Sequence, residues 1–257
     1  MLLHVHEWGH AAAPPVLCLH GVMAHGGRYR RLAEERLTQF RVLAPDLRGH
    51  GRSGWEPPWT IEQHVEDLRE TLEAAGVERA AVIGHSFGGR LTLELTAVGL
   101  AERIVLLDPV VWVPPAIMLE RAEQARHERS FANEDEARAE RAELSPLAPP
   151  ELLDEEFREH LVQGEDGRLR FRYSQAAVVA ALGELSQRPP DWERLQVPAL
   201  LVVGADTDVT VPAVVDALRT ELGDLEIVTV PGRHVVLWDA YQETANAIET
   251  FLEDAGA

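Results

Sequence analysis

Five residues, Gly84-His85-Ser86-Phe87-Gly88, constrain this chain more than any other stretch. The apolar run Ala81-Val82-Ile83 leads into them, and a helix-like segment from Arg90 to Val98 follows. Together they read as a buried strand, a sharp turn and a helix, with Ser86 at the turn. Such a turn puts the serine in a strained backbone conformation, and glycines two before and two after remove side chains that would collide there. The hydroxyl is then lifted to the edge of a sheet, beside a helix N-terminus that favours negative charge. A dinucleotide-binding turn is excluded, because Gly84, Gly88 and Gly89 do not have the G-x-G-x-x-G spacing. The competing explanation, an incidental serine in a glycine-rich turn, is decided by the rest of the chain.

Short β-branched runs alternate with amphipathic segments, the pattern of a mostly parallel sheet covered by helices. Strands are expected at Leu2–His6, Val16–His20, Arg41–Ala44, Ala80–Gly84, Arg103–Leu107, Ala199–Gly204 and Leu225–Val230. Helices are expected at Tyr29–Gln39, Ile61–Ala75, Phe87–Val98, Val214–Leu222 and Tyr241–Asp254, with Thr60 as the N-cap of the second. Between Pro109 and about residue 190 the alternation stops. Glu120–Glu143 is dense in Arg, Glu and Ala, and Ser174–Leu185 carries an apolar helical face. The strand–helix pattern resumes after Val197-Pro198. The expected organisation is therefore a core of residues 1–110 and 191–257, interrupted by a helical insertion over 111–190.

Acidic residues outnumber basic ones by 43 to 24, for a formal charge of −19. A surface of that sign repels phosphate backbones and anionic lipid, so neither nucleic acid nor membrane is expected as a partner. Every basic residue is arginine; with no lysine, a phosphate-loop lysine and Schiff-base chemistry are both excluded. Cys18 is the sole cysteine, which rules out an internal disulfide and a cysteine-rich metal site. No window approaches the roughly 18 apolar residues of a membrane span. The N-terminus has no secretory pattern, and the expected compartment is the cytoplasm.

A serine needs a base and a place for the oxyanion. The loop His20-Gly21-Val22-Met23, directly after an apolar strand, is where a second amide donor belongs beside that of Phe87; Val22 is preferred and Met23 is the alternative. Asp46–Ser53 is polar and glycine-rich, but Gly49 and Gly51 suit it to structural turn-making, and His50 to bracing that loop. His4, His6, His10 and His85 lack metal-ligand spacing with nearby carboxylates. His234, in Pro231-Gly232-Arg233-His234, lies after the last strand and before the C-terminal helix, the right setting for the base. The orienting carboxylate belongs between nucleophile and base in the chain. Asp206, Asp208 and Asp108 each follow a strand and each qualifies.

Taken together, His20-Gly21, Asp46–Ser53, Gly84–Gly89, Gly204–Pro212 and Gly232-Arg233-His234 resemble the α/β-hydrolase superfamily over the whole chain except the insertion. The resemblance implies an eight-stranded sheet with helices on both faces, a Ser–Asp–His triad and a helical cap. It also favours Asp208, because Asp208-Val209-Thr210-Val211-Pro212 matches the family's Asp-x-x-x-Pro loop, although the interval from Gly204 is one residue longer than in many members. A serine nucleophile argues against the epoxide hydrolases and haloalkane dehalogenases, which use aspartate. The expected activity is hydrolysis of a carboxylic ester of a small hydrophobic molecule by Ser86, Asp208 and His234, with oxyanion amides from Val22 and Phe87 and no cofactor or metal. Met23, Trp112, Met118 and Val235 are expected to line the pocket, with Ile117 and Phe131 also in reach. A lactonase or carbon–carbon bond hydrolase with the same triad, and a non-catalytic ligand-binding member of the fold, are the rival functions. The oligomeric state is not specified by these features.

Overall fold

The computed structural model describes residues 1–254. Its strands, in chain order, are β1 (Val5–Trp8), β2 (Pro15–Leu19), β3 (Arg41–Pro45), β4 (Ala80–His85), β5 (Ala101–Leu107), β6 (Leu161–Gln163), β7 (Leu169–Phe171), β8 (Ala199–Gly204) and β9 (Leu225–Val230). Seven of them form one sheet in the order β1-β3-β2-β4-β5-β8-β9. Only β1 runs antiparallel to its neighbour. The resemblance implied eight strands; the sheet has one strand for each apolar run the sequence contains, and no eighth among the described residues. The first strand also lies later than Leu2–His6, because the backbone of His4 is engaged with the Ser53 hydroxyl and the Asp46 amide.

Alternation along the central strands builds two cores. Leu17 and Leu19 face one side of the sheet, Val16 and Cys18 the other. On the first side pack α2 (Ile61–Ala74), α3 (Phe87–Ala97) and α8 (Pro212–Glu221); on the second, α1 (Arg30–Glu35), the short α9 (Val236–Asp239) and α10 (Tyr241–Glu253). The N-cap of α2 is Thr60, whose hydroxyl accepts from the Gln63 amide at 3.2 Å. The helix expected from Tyr29 to Gln39 is shorter, a 3-10 turn over Gly26–Tyr29 running into α1. No helix among the described residues is long and apolar enough to cross a membrane.

Between β5 and β8 the chain leaves the sheet for α4 (Pro115–Ala125), α5 (Glu134–Leu144), α6 (Pro150–His160), the β6–β7 hairpin and α7 (Gln175–Glu184). The hairpin lies inside the insertion, which composition had suggested to be helical throughout; its strands are three residues each, too short for a period-2 signal. Arg90, fully buried on α3, fixes the neck of the insertion. Its guanidinium donates to the carbonyls of Val111 and Gln187 at 3.0 Å and of Arg188 at 2.7 Å.

Candidate active site

Ser86 closes β4 with φ 56° and ψ −116°, a conformation that side chains rarely adopt, and its amide bonds to the Leu107 carbonyl. The strain is held by crowding. A Cβ at Gly88 would stand 2.2 Å from the Leu19 carbonyl oxygen, so the helix packs on β2 only with glycine there. The serine is 6% exposed. Phe87 starts α3, where first-turn amides have no partner within the helix. The loop after β2 arrives alongside: a Cβ at Gly21 would be 2.9 Å from Cβ of Ser86 and 3.4 Å from its Oγ. Val22 and Met23 follow directly, Met23 with φ 58°.

His234 follows β9, and its Nδ1 donates to a carboxylate oxygen at 2.6 Å. That carboxylate belongs to Asp108, at the end of β5, the strand beside β4. This corrects the expectation of Asp208. Asp108 is fully buried, with φ 41°, and also accepts from the Thr207 hydroxyl at 2.7 Å and the Gly204 amide at 3.4 Å. The loop after β8 thus contributes a hydroxyl to this group rather than an acid. Thr207 turns inward to Asp108, while Asp206 and Asp208 on either side of it are exposed to solvent. The Asp-x-x-x-Pro spacing is present, but its register presents threonine to the site.

His85 is a participant that sequence reasoning missed. Its Nε2 donates to the His234 carbonyl at 2.9 Å, and the two rings lie 4.6 Å apart. Burial, with His234 alongside, holds its pKa well below the ordinary histidine value, so it is a neutral donor that fixes the His234 loop. Its place between Gly84 and Ser86 was the available signal.

The expected pocket residues divide. Met23 and Val235 adjoin Ser86's neighbouring loop and His234, whereas Met118 is buried in the main core. Trp112 is exposed and donates its indole N–H to the Ser186 carbonyl at 3.1 Å, which places it at the neck of the insertion. Ile117 is exposed; Phe131 packs with Phe157 and Phe171 of the insertion and Trp238 of the core. Asp46 proves structural, as expected: its carboxylate accepts from the amides of Gly26 and Arg52, each at 2.8 Å.

A mostly parallel sheet with a strained serine after one strand, a buried carboxylate after the next and a histidine bonded to it after the last is the arrangement of a hydrolase of the α/β type. The chain belongs to the alpha/beta hydrolase family, whose model matches residues 16–247. It is 38% identical over 189 residues to Lipase LipV of Mycobacterium tuberculosis, covering 72% of each chain. Esterase YbfF of Escherichia coli is 24% identical over 93% of both chains. Among solved structures, E-2-(acetamidomethylene)succinate hydrolase superposes with a TM-score of 0.86 at 23% identity, over 98% of this chain and 95% of that one. An enol-lactonase from Burkholderia xenovorans gives 0.79 at 22% identity, over 98% and 96%.

Proposed function

We propose that the protein hydrolyses a carboxylic ester through an acyl-enzyme formed on Ser86. The observation that carries this reading is the Asp108–His234 pair at 2.6 Å beside the strained serine. An ionised carboxylate only accepts, so His234 carries its proton on Nδ1 and offers the Nε2 lone pair to the serine hydroxyl. Ser86 Oγ attacks the ester carbonyl as His234 takes its proton. The oxyanion is held by the amides of Val22 and Phe87. Collapse expels the alcohol, protonated by His234, and leaves the acyl group on Ser86. His234 then deprotonates a water that attacks this acyl-enzyme, giving the carboxylic acid and free Ser86. Asp108 keeps the imidazole in the right tautomer throughout. The insertion acts as a cap, joined to the segment after His234 by the packed cluster of Phe131, Phe157, Phe171 and Trp238, and the substrate carries a hydrophobic portion. The protein works on a small molecule, free of metal or cofactor, away from nucleic acid and membranes.

A fluorophosphonate probe with p-nitrophenyl esters tests this directly. Labelling at Ser86, and a loss on the order of 10⁶ in kcat for Ser86→Ala, are expected. An unlabelled serine means a binding member of the fold, and turnover of lactones alone would move the activity to the neighbouring class.

A further inference from the structure

The carboxylate that faces the N-terminal histidines comes from 40 positions along the chain, beyond any local spacing. β1 and β3 pair antiparallel, with Val5 opposite Pro45 and His6 opposite Ala44. One step further the same ladder sets His4 against Asp46, whose amide bonds to the His4 carbonyl at 2.8 Å. His4 and His6 are two residues apart in extended chain and so share a face. Their rings meet edge to face with centroids 4.9 Å apart. One nitrogen of each ring and one oxygen of Asp46 all lie within 4.8 Å of one another.

These groups are placed for ligation. His6 Nε2 stands 3.2 Å from Asp46 Oδ1. That is long for a charge-assisted hydrogen bond, but it matches the spacing of two ligand atoms on one tetrahedral zinc, about 3.3 Å for bonds of about 2.0–2.1 Å. The His4 ring has no hydrogen-bond partner among the described residues; only its backbone amide and carbonyl are engaged. Asp46 is already aimed. Amides of Gly26 and Arg52 each bond to one of its oxygens at 2.8 Å, the kind of outer bond that ligating carboxylates carry. The His6 ring is seated by close packing: a Cβ at Gly26 would lie 3.0 Å from its Cδ2 and one at Gly27 3.4 Å from its Cε1. Trp8 stacks along the same ring, with centroids 6.0 Å apart. Both histidines are partly exposed, so an ion reaches them from solvent.

Two imidazoles and a carboxylate, without sulfur, suit zinc and its neighbours rather than magnesium or calcium, which take oxygen ligands. A net charge of −19 draws divalent cations toward the surface. β2 lies between β3 and β4, which sets Asp46 two strand spacings, about 10 Å, to the side of Ser86. An ion there stays clear of the ester chemistry. Its effect falls on the frame, where β1 is the antiparallel edge strand.

We propose that His4, His6 and Asp46 form a site for one zinc-class divalent cation, which pins β1 to the loop that follows β3.

The test titrates tag-free protein, first stripped with chelator, with Zn²⁺ in a calorimeter. One equivalent should bind saturably, and the melting temperature should rise with it. Losing a direct ligand costs at least as much as losing an outer partner, so His4→Gln and His6→Gln should each weaken binding by about tenfold or more. His10→Gln removes an exposed histidine outside the cluster and should bind as wild type does. Zinc should also slow amide exchange in residues 4–8 and 46–53 of the wild type, and much less in His4→Gln. Absence of saturable binding in wild type overturns the site. So does equal affinity in wild type, His4→Gln and His6→Gln, which would assign the ion to the acidic surface or to His234. Protection that appears elsewhere in the chain and not in these two segments has the same consequence. Should His6→Gln fail to fold, His4→Gln, whose ring bonds to nothing, carries the comparison alone.

Discussion

The sheet edge that carries Ser86 and the insertion between β5 and β8 are built on different principles. At the edge, short bonds hold the polar groups around Ser86: Asp108 to His234 and Thr207, His85 to the His234 carbonyl, Tyr29 to the Leu19 carbonyl at 2.8 Å. The insertion is held by charge. Arg30 and Arg52 of the core both reach Glu159 on α6, and Arg28 with His25 grips Glu156. Buried polar atoms without partners concentrate there, on Arg141, Ser145, His160, Arg172 and Gln175. A fully satisfied network is rigid and can preorganise chemistry, whereas buried polar atoms left unpaired cost stability. The sheet edge is held by short hydrogen bonds, and the insertion is joined to it by ion pairs.

The sharpest way to break this division is at the acid. Asp108→Asn should cost on the order of 10⁴ in kcat, because asparagine stabilises the wrong tautomer of His234. Asp208→Asn, in an exposed loop position with no bond to the imidazole, should leave kcat within about twofold, as surface changes usually do. Steady-state kinetics on the two purified variants decides it. The reverse order would mean that the loop after β8 swings its acid inward during turnover, and the edge would no longer be the rigid partner.

How much of this was legible in the sequence follows from how local each signal is. The serine turn needs only a strand, glycines and a helix in succession, so Gly84–Gly88 announced it. His234 was legible for the same reason, standing alone after the last strand. Asp108 was visible as a strand-end carboxylate, but choosing it over Asp208 required the inward register of Thr207, a contact across 99 positions of chain. Seven strands were readable as apolar runs; the eighth came only from the resemblance. In the insertion, Arg, Glu and Ala gave a helical composition correctly but could not show which charges pair, and the three-residue strands of its hairpin carried no pattern at all.

The charged clamp offers the next test. Glu156→Gln leaves the half-buried Arg28 and the buried Arg141 without their shared carboxylate and should cost about 3–5 kcal/mol. In a chain of this size that lowers the melting temperature by on the order of 10 °C. Amide exchange should quicken first in α6, with β4 and β5 unchanged at matched temperature. A loss spread evenly over both regions would show that sheet and insertion unfold as one unit.

A smaller effect comes from acid. Burial is the main cause holding the His160 pKa well below its usual value; Glu156 opposes this, while His25, Arg28 and Arg141 add to it. The unfolded chain takes up a proton on this histidine near pH ~6.5 and the folded chain does not. Its contribution is therefore intact above that pH and falls below it, by about 1.4 kcal/mol per pH unit. Denaturation of wild type and His160→Phe between pH 7 and pH 5 should show the variant's pH slope flatter by that amount. Equal slopes would place a bonded, protonatable His160 in the clamp and close one of its open positions.

The smallest effect tests the loop after β8. Thr207 gives Asp108 a hydroxyl bond of 2.7 Å and accepts from the Val209 amide at 3.1 Å, so it both orients the carboxylate and shapes its own loop. A hydrogen bond to a charged group is worth about 1.5–3 kcal/mol. Much of that should appear as stability, because the Gly204 amide and His234 still fix Asp108 when the hydroxyl is gone. Thr207→Ala should thus lower kcat by less than about tenfold, with KM little changed, since the residue acts through Asp108 and not on substrate. Thr207→Ser keeps the hydroxyl and should restore most of the rate. If serine fails to rescue while alanine is severely impaired, the loop's shape rather than its hydroxyl is what the acid needs, and the edge depends on β8 more than its hydrogen bonds indicate.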